Sequence, residues 1–534
     1  MAKVASTGVF LRKASGLVRD ASTFDVIVYN FAQVGAGIGI AYIVLLFPAY
    51  YYGADMALSS LITLIGCIFT CLVYSLLSIA MPRSGGDYVF NSRITHPALG
   101  FALNWNFVIW ELFYVGWGGG AFAFLGLSAL FATLGSVTGD PAWAAYATYA
   151  SEPMGYFLIG TVVLVFFGLI MIWGTKKYFR VAAVMFFIAM ASIFLCIAIL
   201  GSNTQASFAA TFNAFAKSPT AYQDVISTAA GLGFTPGTRS NWYATTMSVV
   251  WPAMYLLFSA LSAIFAGEIK EIKRSQIYGT MGSVLLSGIM LVVMGYLAGA
   301  VFGYDFLGAS TWLYYAGSPA LPLPPLVTPW YAWFVSLLTD NVAVIVVILF
   351  GFALWCAYWI GVCGIYATRS MLAWSFDRLT PGPLGYVSPR FRTPVAAIAL
   401  SWVIAWIFLA LYAFTPYFAV LSGFLGLVLT FILTSFSALI FPFRLREIYE
   451  RSPIKYEIAG VPVITICGAI SLVFTCFVEY LLFIDNNAAV NTPVNMGLVF
   501  GLLVLGVIYF YAARYYRKKQ GVNVDLAYRE IPIE

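Results

Sequence analysis

The stretch Phe31–Val44, FAQVGAGIGIAYIV, is unusual for the apolar segment that contains it. Gly35, Gly37 and Gly39 lie near the centre of a run that is long enough to cross a membrane as a helix. Each glycine weakens a helix interior by about 1 kcal/mol relative to alanine. The pattern therefore indicates a membrane helix that is easily interrupted halfway across the bilayer.

The same glycines also have a simpler interpretation. Gly35 and Gly39 are spaced as GxxxG, a pattern that lets two membrane helices pack closely. A dinucleotide-binding fingerprint is excluded, because Ile40 stands where its third glycine belongs. Helix packing and helix interruption both stay open on these residues alone.

The composition of the whole chain is that of a membrane protein. Of its 534 residues, 62% are hydrophobic and only 9% are charged. Apolar runs near 20 residues match helices that cross a hydrocarbon layer about 30 Å thick. We predict an all-α protein embedded in the lipid bilayer. Its twelve spans fall near residues 25–50, 56–81, 97–131, 154–174, 178–201, 246–268, 277–302, 336–372, 394–414, 418–442, 461–484 and 495–513.

The basic residues predict the orientation. Of the 27 Lys and Arg residues, 25 fall in the N-terminal segment, the C-terminal tail or alternate connections, and only Lys217 and Arg239 fall on the other side. Cytoplasmic segments carry the excess of Lys and Arg in membrane proteins. We therefore expect a multi-pass protein of the plasma membrane with both termini in the cytoplasm. The net charge of +6 reflects this orientation, and no nucleic-acid partner is predicted.

Two longer connections fall on the outer side, at residues 202–245 and 303–335. The second contains SPALPLPPLVTP, whose prolines favour an extended path. We interpret both as solvated loops, with caps over an outer vestibule as the alternative.

Glu111 lies about midway along the third predicted span. A charge at the bilayer centre costs at least ~2.5–3.5 kcal/mol on insertion scales. The residue therefore faces a cavity or a partner, or it stays protonated. We interpret it as a pocket carboxylate or a proton carrier; the alternative is a neutral acid that is hydrogen-bonded to a neighbouring helix.

The sixth predicted span also carries signals of interruption. Pro252 lacks a backbone donor, and Ser259 and Ser262 lie near mid-depth, where a serine hydroxyl can compete for backbone carbonyls. Interrupted helices at matching places in two inverted halves point to a secondary-transporter site. An opened helix exposes N–H groups that can hold a carboxylate and C=O groups that can hold an ammonium or a cation.

Several segments resemble the amino acid–polyamine–organocation transporters. Met81–Phe101, MPRSGGDYVFNSRITHPALGF, is similar to that family's P-R-S-G-G-x-Y loop. Ala266–Gly279, AGEIKEIKRSQIYG, resembles its E-V-K-N-P-K-R segment, and Ala367–Ile398 resembles its connection between the eighth and ninth helices. GAGIG, Gly35–Gly39, looks like the glycine-rich break of the first helix.

This resemblance implies a LeuT-type fold with two inverted five-helix repeats, broken first and sixth helices, and two extra C-terminal helices. It also implies alternating access and an amino acid or amine as substrate. The segments expected on this basis are a cytoplasmic N-terminal segment 1–24, a first repeat 25–201, an extracellular loop 202–245, a second repeat 246–442, helices 11 and 12 within 443–513, and a cytoplasmic tail 514–534.

The resemblance also implies a set of substrate-binding residues, carried over from the matching motifs. Glu111 is in addition the candidate for proton coupling. The set is Gln33, Val34, Gly35, Ala36 and Gly37 at the first break, Glu111 and Val115 in the third span, Tyr255, Phe258, Ser259 and Ala260 at the sixth, and Trp359 and Cys363 in the eighth.

The chain departs from the family's pattern in ways that leave the coupling ion open. Phe258 stands where family members commonly have the glycine of the sixth break. The fifth span lacks the lysine that some proton-coupled members carry, and the eighth lacks a clear Ser/Thr pair for sodium. Proton and sodium both stay candidates, and no cofactor or metal site is predicted.

The leading hypothesis is a secondary transporter of amino acids or related amines. An ionised Glu111 would favour the alternative of a polyamine or cationic amino acid antiporter. A non-transporting amino acid sensor with the same fold is a second alternative. A membrane enzyme is disfavoured because His96 is the only histidine, and a channel is disfavoured by the scarcity of polar residues along the spans. The sequence leaves the oligomeric state unknown.

Overall fold

The computed structural model describes residues 17–236, 241–323, 327–418 and 422–529. Twelve helices within them are long and apolar enough to cross a membrane, which confirms the predicted all-α architecture. Numbered first to twelfth, the spans are Thr23–Tyr50, Met56–Ala80, Pro97–Thr138, Pro153–Trp173, Thr175–Gly201, Trp242–Ile264, Ile272–Phe302, Val342–Phe376, Val395–Phe414, Phe424–Arg444, Val463–Ile484 and Pro493–Lys519. Lys3, Arg12, Lys13 and Arg239, which contributed to the predicted orientation, lie outside the described residues.

The first and sixth spans are both interrupted, as predicted. The first consists of two α-helices, Thr23–Val34 and Ala36–Tyr50, which meet at Gly35. The sixth contains the short α-helices Trp242–Met247 and Val250–Leu256 and continues as a 3₁₀-helix over Leu257–Ile264. A 3₁₀ stretch inside a longer helix often marks a functional hinge.

Helix packing follows the order expected of two inverted repeats. The second span packs against the seventh, the third against the eighth and the fourth against the ninth. The half of the first span that is predicted to face inward, Thr23–Val34, contacts the 3₁₀ segment of the sixth. Contact between equivalent helices is what a two-fold relation between spans one to five and six to ten produces. The eleventh span packs against the second and tenth, and the twelfth packs against the third.

The third span is longer than the predicted range 97–131. It runs as α-helix over Pro97–Ala121, as π-helix over Phe122–Leu127, and again as α-helix over Ser128–Thr138. The π-helical segment packs against the eighth span. Gly126 faces Ala353 of that span so closely that a Cβ atom would collide with it.

The two connections that were predicted to lie outside contain helices, so they are not the extended loops that the sequence suggested. The first contains the helices Gln205–Phe215 and Ala221–Gly231, and the second contains the helix Tyr304–Tyr315. Tyr304–Tyr315 packs against the outer half of the first span, where the Thr311 hydroxyl donates to the Leu45 carbonyl at 2.8 Å. The helix Tyr304–Tyr315 therefore covers the Ala36–Tyr50 half of the first span, and the helix Ala221–Gly231 packs against Tyr304–Tyr315 in turn.

The remaining elements are short and connect the spans. They are the α-helices Gly86–Ile94, Pro141–Ser151, Tyr331–Ser336 and Arg446–Arg451, the 3₁₀-helices Ala266–Glu268, Gly382–Gly385 and Val524–Arg529, and the paired antiparallel strands Glu457–Ile458 and Val461–Pro462.

A buried ion pair fixes the inner end of the sixth span. Arg369 of the eighth span donates from Nε to Glu268 Oε1 at 2.7 Å and from Nη2 to Oε2 at 2.9 Å. Arg369 is fully buried and Glu268 almost so. The amides of Asp20 and Ala21 both bind the Glu268 carbonyl at 3.0 Å. The chain before the first span is therefore attached to the same point.

We predict that Glu268→Gln destabilises the protein by about 3–5 kcal/mol, because it removes the carboxylate from a buried ion pair. The measurement is the thermal unfolding temperature of purified protein in detergent. Glu450→Gln is the matched control: it removes an equally short pair with Arg446 that lies at the exposed surface. Equal unfolding temperatures for the two variants would contradict the prediction.

Candidate functional site

The break in the first span lies at Gly35, whose φ of 57° and ψ of 48° are left-handed. The Gly35 amide bonds back to the carbonyls of Phe31 and Ala32, and its own carbonyl accepts from the amides of Ile38 and Gly39. Between these bonds the helical ladder is interrupted. The amides of Ala36 and Gly37 and the carbonyls of Gln33 and Val34 have no backbone partner among the described residues. Two donors and two acceptors are thus left without a backbone partner at one depth.

Close contacts with aromatic rings explain the two glycines that follow the break. A Cβ atom on Gly37 would overlap the Trp355 ring, and one on Gly39 would lie 3.0 Å from the Tyr255 ring. The alternative interpretation of these glycines as a packing motif is therefore also correct in part. Gly35 permits the break, while Gly37 and Gly39 admit side chains of the eighth and sixth spans.

A side chain of the first span holds the 3₁₀ segment of the sixth. Asn30 Oδ1 accepts from the Ser262 amide at 2.8 Å, and Asn30 Nδ2 donates to the Ser262 hydroxyl at 2.9 Å. The same hydroxyl donates to Gln276 Oε1 at 2.8 Å. Ser262 therefore links the first, sixth and seventh spans. The Ser259 hydroxyl, one turn earlier, is buried and has no hydrogen-bond partner among the described residues.

Glu111 faces the break from the third span. It is completely buried, beside the Cys363 thiol and the Gln33 side chain. Neither carboxylate oxygen makes a well-formed hydrogen bond within the described part of the chain, and no basic side chain there pairs with it. The Cys363 thiol lies 3.6 Å from Gln33 Oε1, and Gln33 Nε2 donates to the Tyr29 hydroxyl at 3.3 Å.

Aromatic rings close the site above the break. Trp359 lies directly over Gly35 and stacks on Tyr255 with ring centroids 6.1 Å apart. Its ring also contacts Tyr114 and Trp117 of the third span at 5.3 and 5.4 Å. The Trp359 indole N–H and the Tyr255 hydroxyl are both buried without a partner in the described residues. Four spans thus place unsatisfied polar atoms around one break.

A family model described as amino acid permease matches residues 22–508. The chain belongs to this family. It is therefore a multi-pass membrane protein that acts as a secondary amino acid transporter, which confirms the leading hypothesis. It is similar to the branched-chain amino acid permease BcaP of Bacillus subtilis (strain 168), with 24% identity over 465 residues that cover 84% of this chain and 85% of that relative.

The permease brings most of its predicted site residues together. Gln33, Glu111 and Cys363 are neighbours, and Tyr255 and Trp359 stack beside the break at Gly35. Phe258 lies in the 3₁₀ segment and contacts the Tyr114 ring at 6.4 Å. The remaining members are fully buried on the same helices: Val34, Ala36, Gly37, Val115, Ser259 and Ala260.

Some buried groups of the permease were missed at the sequence level. Trp355 fits against Gly37, and only its spacing of one turn from Trp359 could have indicated it. Tyr29 joins the site through Gln33, one turn along the same helix. Glu479, in the eleventh span, is a second carboxylate at membrane depth that is buried without a partner among the described residues. Glu479 lies within the apolar segment FVEYLL, so the sequence alone could have indicated it in the same way as Glu111.

We predict that Gly35→Ala impairs both stability and uptake, because an L-residue at this φ costs about 1–2 kcal/mol and its Cβ would press on Trp359. Since a cost of 1–2 kcal/mol changes an equilibrium by about five- to thirtyfold, amino acid uptake into proteoliposomes should fall by a factor in this range. Gly282→Ala in the seventh span is the control, because its nearest neighbour would be 3.9 Å from the new Cβ. Wild-type uptake by Gly35→Ala would refute the requirement for a left-handed break.

Proposed function

We propose that this permease is a proton-coupled symporter of zwitterionic amino acids with apolar side chains. The single observation that carries the proposal is the juxtaposition of a broken helix with Glu111, a buried carboxylate that has no cationic partner in the described residues.

The break supplies groups that complement both charges of an amino acid. The free amides of Ala36 and Gly37 begin a helix, where the helix dipole favours a carboxylate. The free carbonyls of Gln33 and Val34 end a helix, where the dipole favours an ammonium. Each substrate hydrogen bond would replace one that water supplied before entry. These contacts bind the carboxylate and the ammonium of the amino acid, and the surrounding residues contact its side chain.

The surroundings favour an apolar side chain. Phe258, Val115 and Ala260 present hydrocarbon, and Tyr255 and Trp359 present ring faces. Burial of apolar surface contributes about 25 cal/mol per Å², so larger apolar side chains gain more. The similar protein BcaP of Bacillus subtilis is a branched-chain amino acid permease, which agrees with this preference.

While the site is closed to water, the surroundings of Glu111 favour its protonated form. An ionised carboxylate that has no cation beside it and no well-formed hydrogen bond is far more costly to bury than a neutral acid. When one half of the site opens to water, the carboxyl can release its proton. The protein can then couple proton movement to the movement of substrate, provided that the substrate stabilises the inward and outward states differently.

We further propose that the permease lies in the plasma membrane with both termini in the cytoplasm. The distribution of the basic residues supports this orientation. The site would then open alternately to each side as the two repeats move against each other.

We predict that Glu111→Gln abolishes the dependence of uptake on pH. Wild-type uptake should rise as the external pH falls, because a protonated Glu111 is needed in the loaded carrier, and an imposed inward proton gradient should drive accumulation. The glutamine is permanently neutral, so exchange of internal for external amino acid should continue while proton-driven accumulation is lost. Labelled leucine in proteoliposomes provides the measurement.

Glu479→Gln is the matched control for this experiment, because it removes another buried, unpaired carboxylate from a span outside the site. It should keep the wild-type pH profile. An unchanged profile in Glu111→Gln would refute proton coupling through this residue. Selective loss of arginine or lysine transport would instead favour an ionised Glu111 that binds cationic substrates.

The orientation predicts the labelling of two exposed positions. Ser202→Cys should react with a membrane-impermeant maleimide in intact cells, and Gln520→Cys should react only after permeabilisation. The parent chain is the control, since Cys476 is the only exposed cysteine in the described residues and lies within the eleventh span. The opposite pattern would reverse the orientation.

A further inference from the structure

A second carboxylate is buried between the proposed substrate site and the basic side of the molecule. Asp87 lies in the helix Gly86–Ile94, which follows the second span, and is only 1% exposed. The Tyr366 hydroxyl lies 2.9 Å from its Oδ1 and 2.8 Å from its Oδ2. Asn104 Nδ2 donates to Oδ1 at 3.1 Å, and so does the Tyr88 amide.

All of these donors are neutral, which distinguishes Asp87 from its acidic neighbour. Asp377 follows the eighth span and is paired at 2.7 Å with Arg93, which lies in the same helix as Asp87. No ion pair joins Asp87 to any residue that the structure describes. A carboxylate in these surroundings keeps its hydrogen bonds when it changes charge, because the Tyr366 hydroxyl can donate or accept.

The titratable groups that face Asp87 are also uncharged when protonated: Tyr74 of the second span, Glu111 of the third and Tyr366 of the eighth. The 3₁₀ segment Leu257–Ile264 packs against the same helix and has no ionisable side chain. The other charged or titratable groups on the packed elements are Arg369 of the eighth span, Arg444 at the end of the tenth, and Asp525, Tyr528 and Arg529 in the final 3₁₀-helix. Arg369 is paired with Glu268, Asp525 is paired with Arg514, and Tyr528 lies beside Tyr88.

Burial raises the pKa of Asp87 to about 7, and hydrogen bonds from Tyr366, the Tyr88 amide and Asn104 act in the opposite direction. A carboxyl group with this pKa exchanges its proton near neutral pH, where an ordinary aspartate stays ionised.

Two helices connect Asp87 with Glu111. Asn104 precedes Glu111 by seven residues on the third span, a rise of about 10 Å. Tyr366 lies one turn beyond Cys363, which is beside Glu111. The Tyr366 ring stacks on Phe107, one turn from Glu111, with centroids 4.5 Å apart. Tyr366 therefore holds its hydroxyl against Asp87, while its ring packs one turn away from Glu111.

The helix that carries Asp87 is also attached to the broken sixth span. The Gly85 amide donates to the Ile264 carbonyl at 2.8 Å, and Ser84 forms a backbone bridge with Phe265. A Cβ atom on Gly86 would lie 3.0 Å from the Ile264 backbone. Any movement of the sixth span at this point is therefore transmitted to the surroundings of Asp87.

We propose that Asp87 is a second proton-binding site, which receives through Tyr366 the proton released by Glu111 and passes it to the cytoplasm. In the transfer, Tyr366 gives its hydroxyl proton to Asp87 and takes one from Glu111 through intervening water. One proton moves in total, and Tyr366 returns to its neutral form. This inference rests on the proposed proton coupling.

The test separates net uptake from exchange. Net proton-driven uptake requires release of the proton inside, whereas exchange of internal for external amino acid lets the carrier return loaded. Asp87→Asn and Tyr366→Phe should therefore exchange labelled leucine at close to the wild-type rate. Their net uptake should fall about a hundredfold, at the low end of what a positioned proton-transfer group contributes. Asp87→Glu should restore part of it.

Tyr74→Phe is the matched control, because its hydroxyl lies in the same buried cluster but bonds to Thr434 at 3.2 Å. It should keep both activities. Wild-type net uptake by Asp87→Asn and Tyr366→Phe would overturn the proposal. Equal loss of exchange and net uptake in both variants would also overturn it, since Asp87 would then be a structural contact only. Absence of proton-driven uptake in the wild type would instead refute the proposed coupling itself.

Discussion

Backbone N–H and C=O groups within a hydrocarbon layer need hydrogen-bond partners, because no water is present to supply them. At Gly35 the first span leaves four such groups outside its helical ladder. The surrounding residues compensate for this without closing the break. Asn30 ties the inner half of the first span to the 3₁₀ segment of the sixth, and the Trp359 ring covers Gly35. Backbone groups that could bind a small charged molecule are thereby kept in a medium that disfavours one.

The ionisable residues divide into two groups according to whether a counter-charge is present. Arg369 with Glu268 and Arg93 with Asp377 are buried pairs, and removal of one partner would be costly in either. Glu111 has no such partner in the described residues. Neutralising it leaves no charge behind, so a change of protonation is compatible with an intact structure. The paired residues thus join helices, and the unpaired carboxyls are free to exchange protons.

The sequence was sufficient for the spans because each depends on local hydropathy, and for the first break because a left-handed residue in a helix requires glycine. The contacts of Trp355 with Gly37 and of Tyr366 with Asp87 join residues that are hundreds of positions apart. No local sequence pattern could therefore predict them. The helix Tyr304–Tyr315 was missed for a related reason. Its apolar residues are buried by the first span and by the helix Ala221–Gly231, both of which are distant from it in sequence.

The bonds around Ser262 have a mechanical consequence. Asn30, Ser262 and Gln276 tie together the first, sixth and seventh spans, and Ser75 ties the second span to Thr280 of the seventh at 2.6 Å. Small polar side chains therefore join these four helices into one group, and they do so although the helical hydrogen bonding of two of the helices is interrupted. Hydrogen bonds of this kind tolerate little change in length, so the four helices are expected to move together. The extent of that movement is then set by their contacts with the remaining helices.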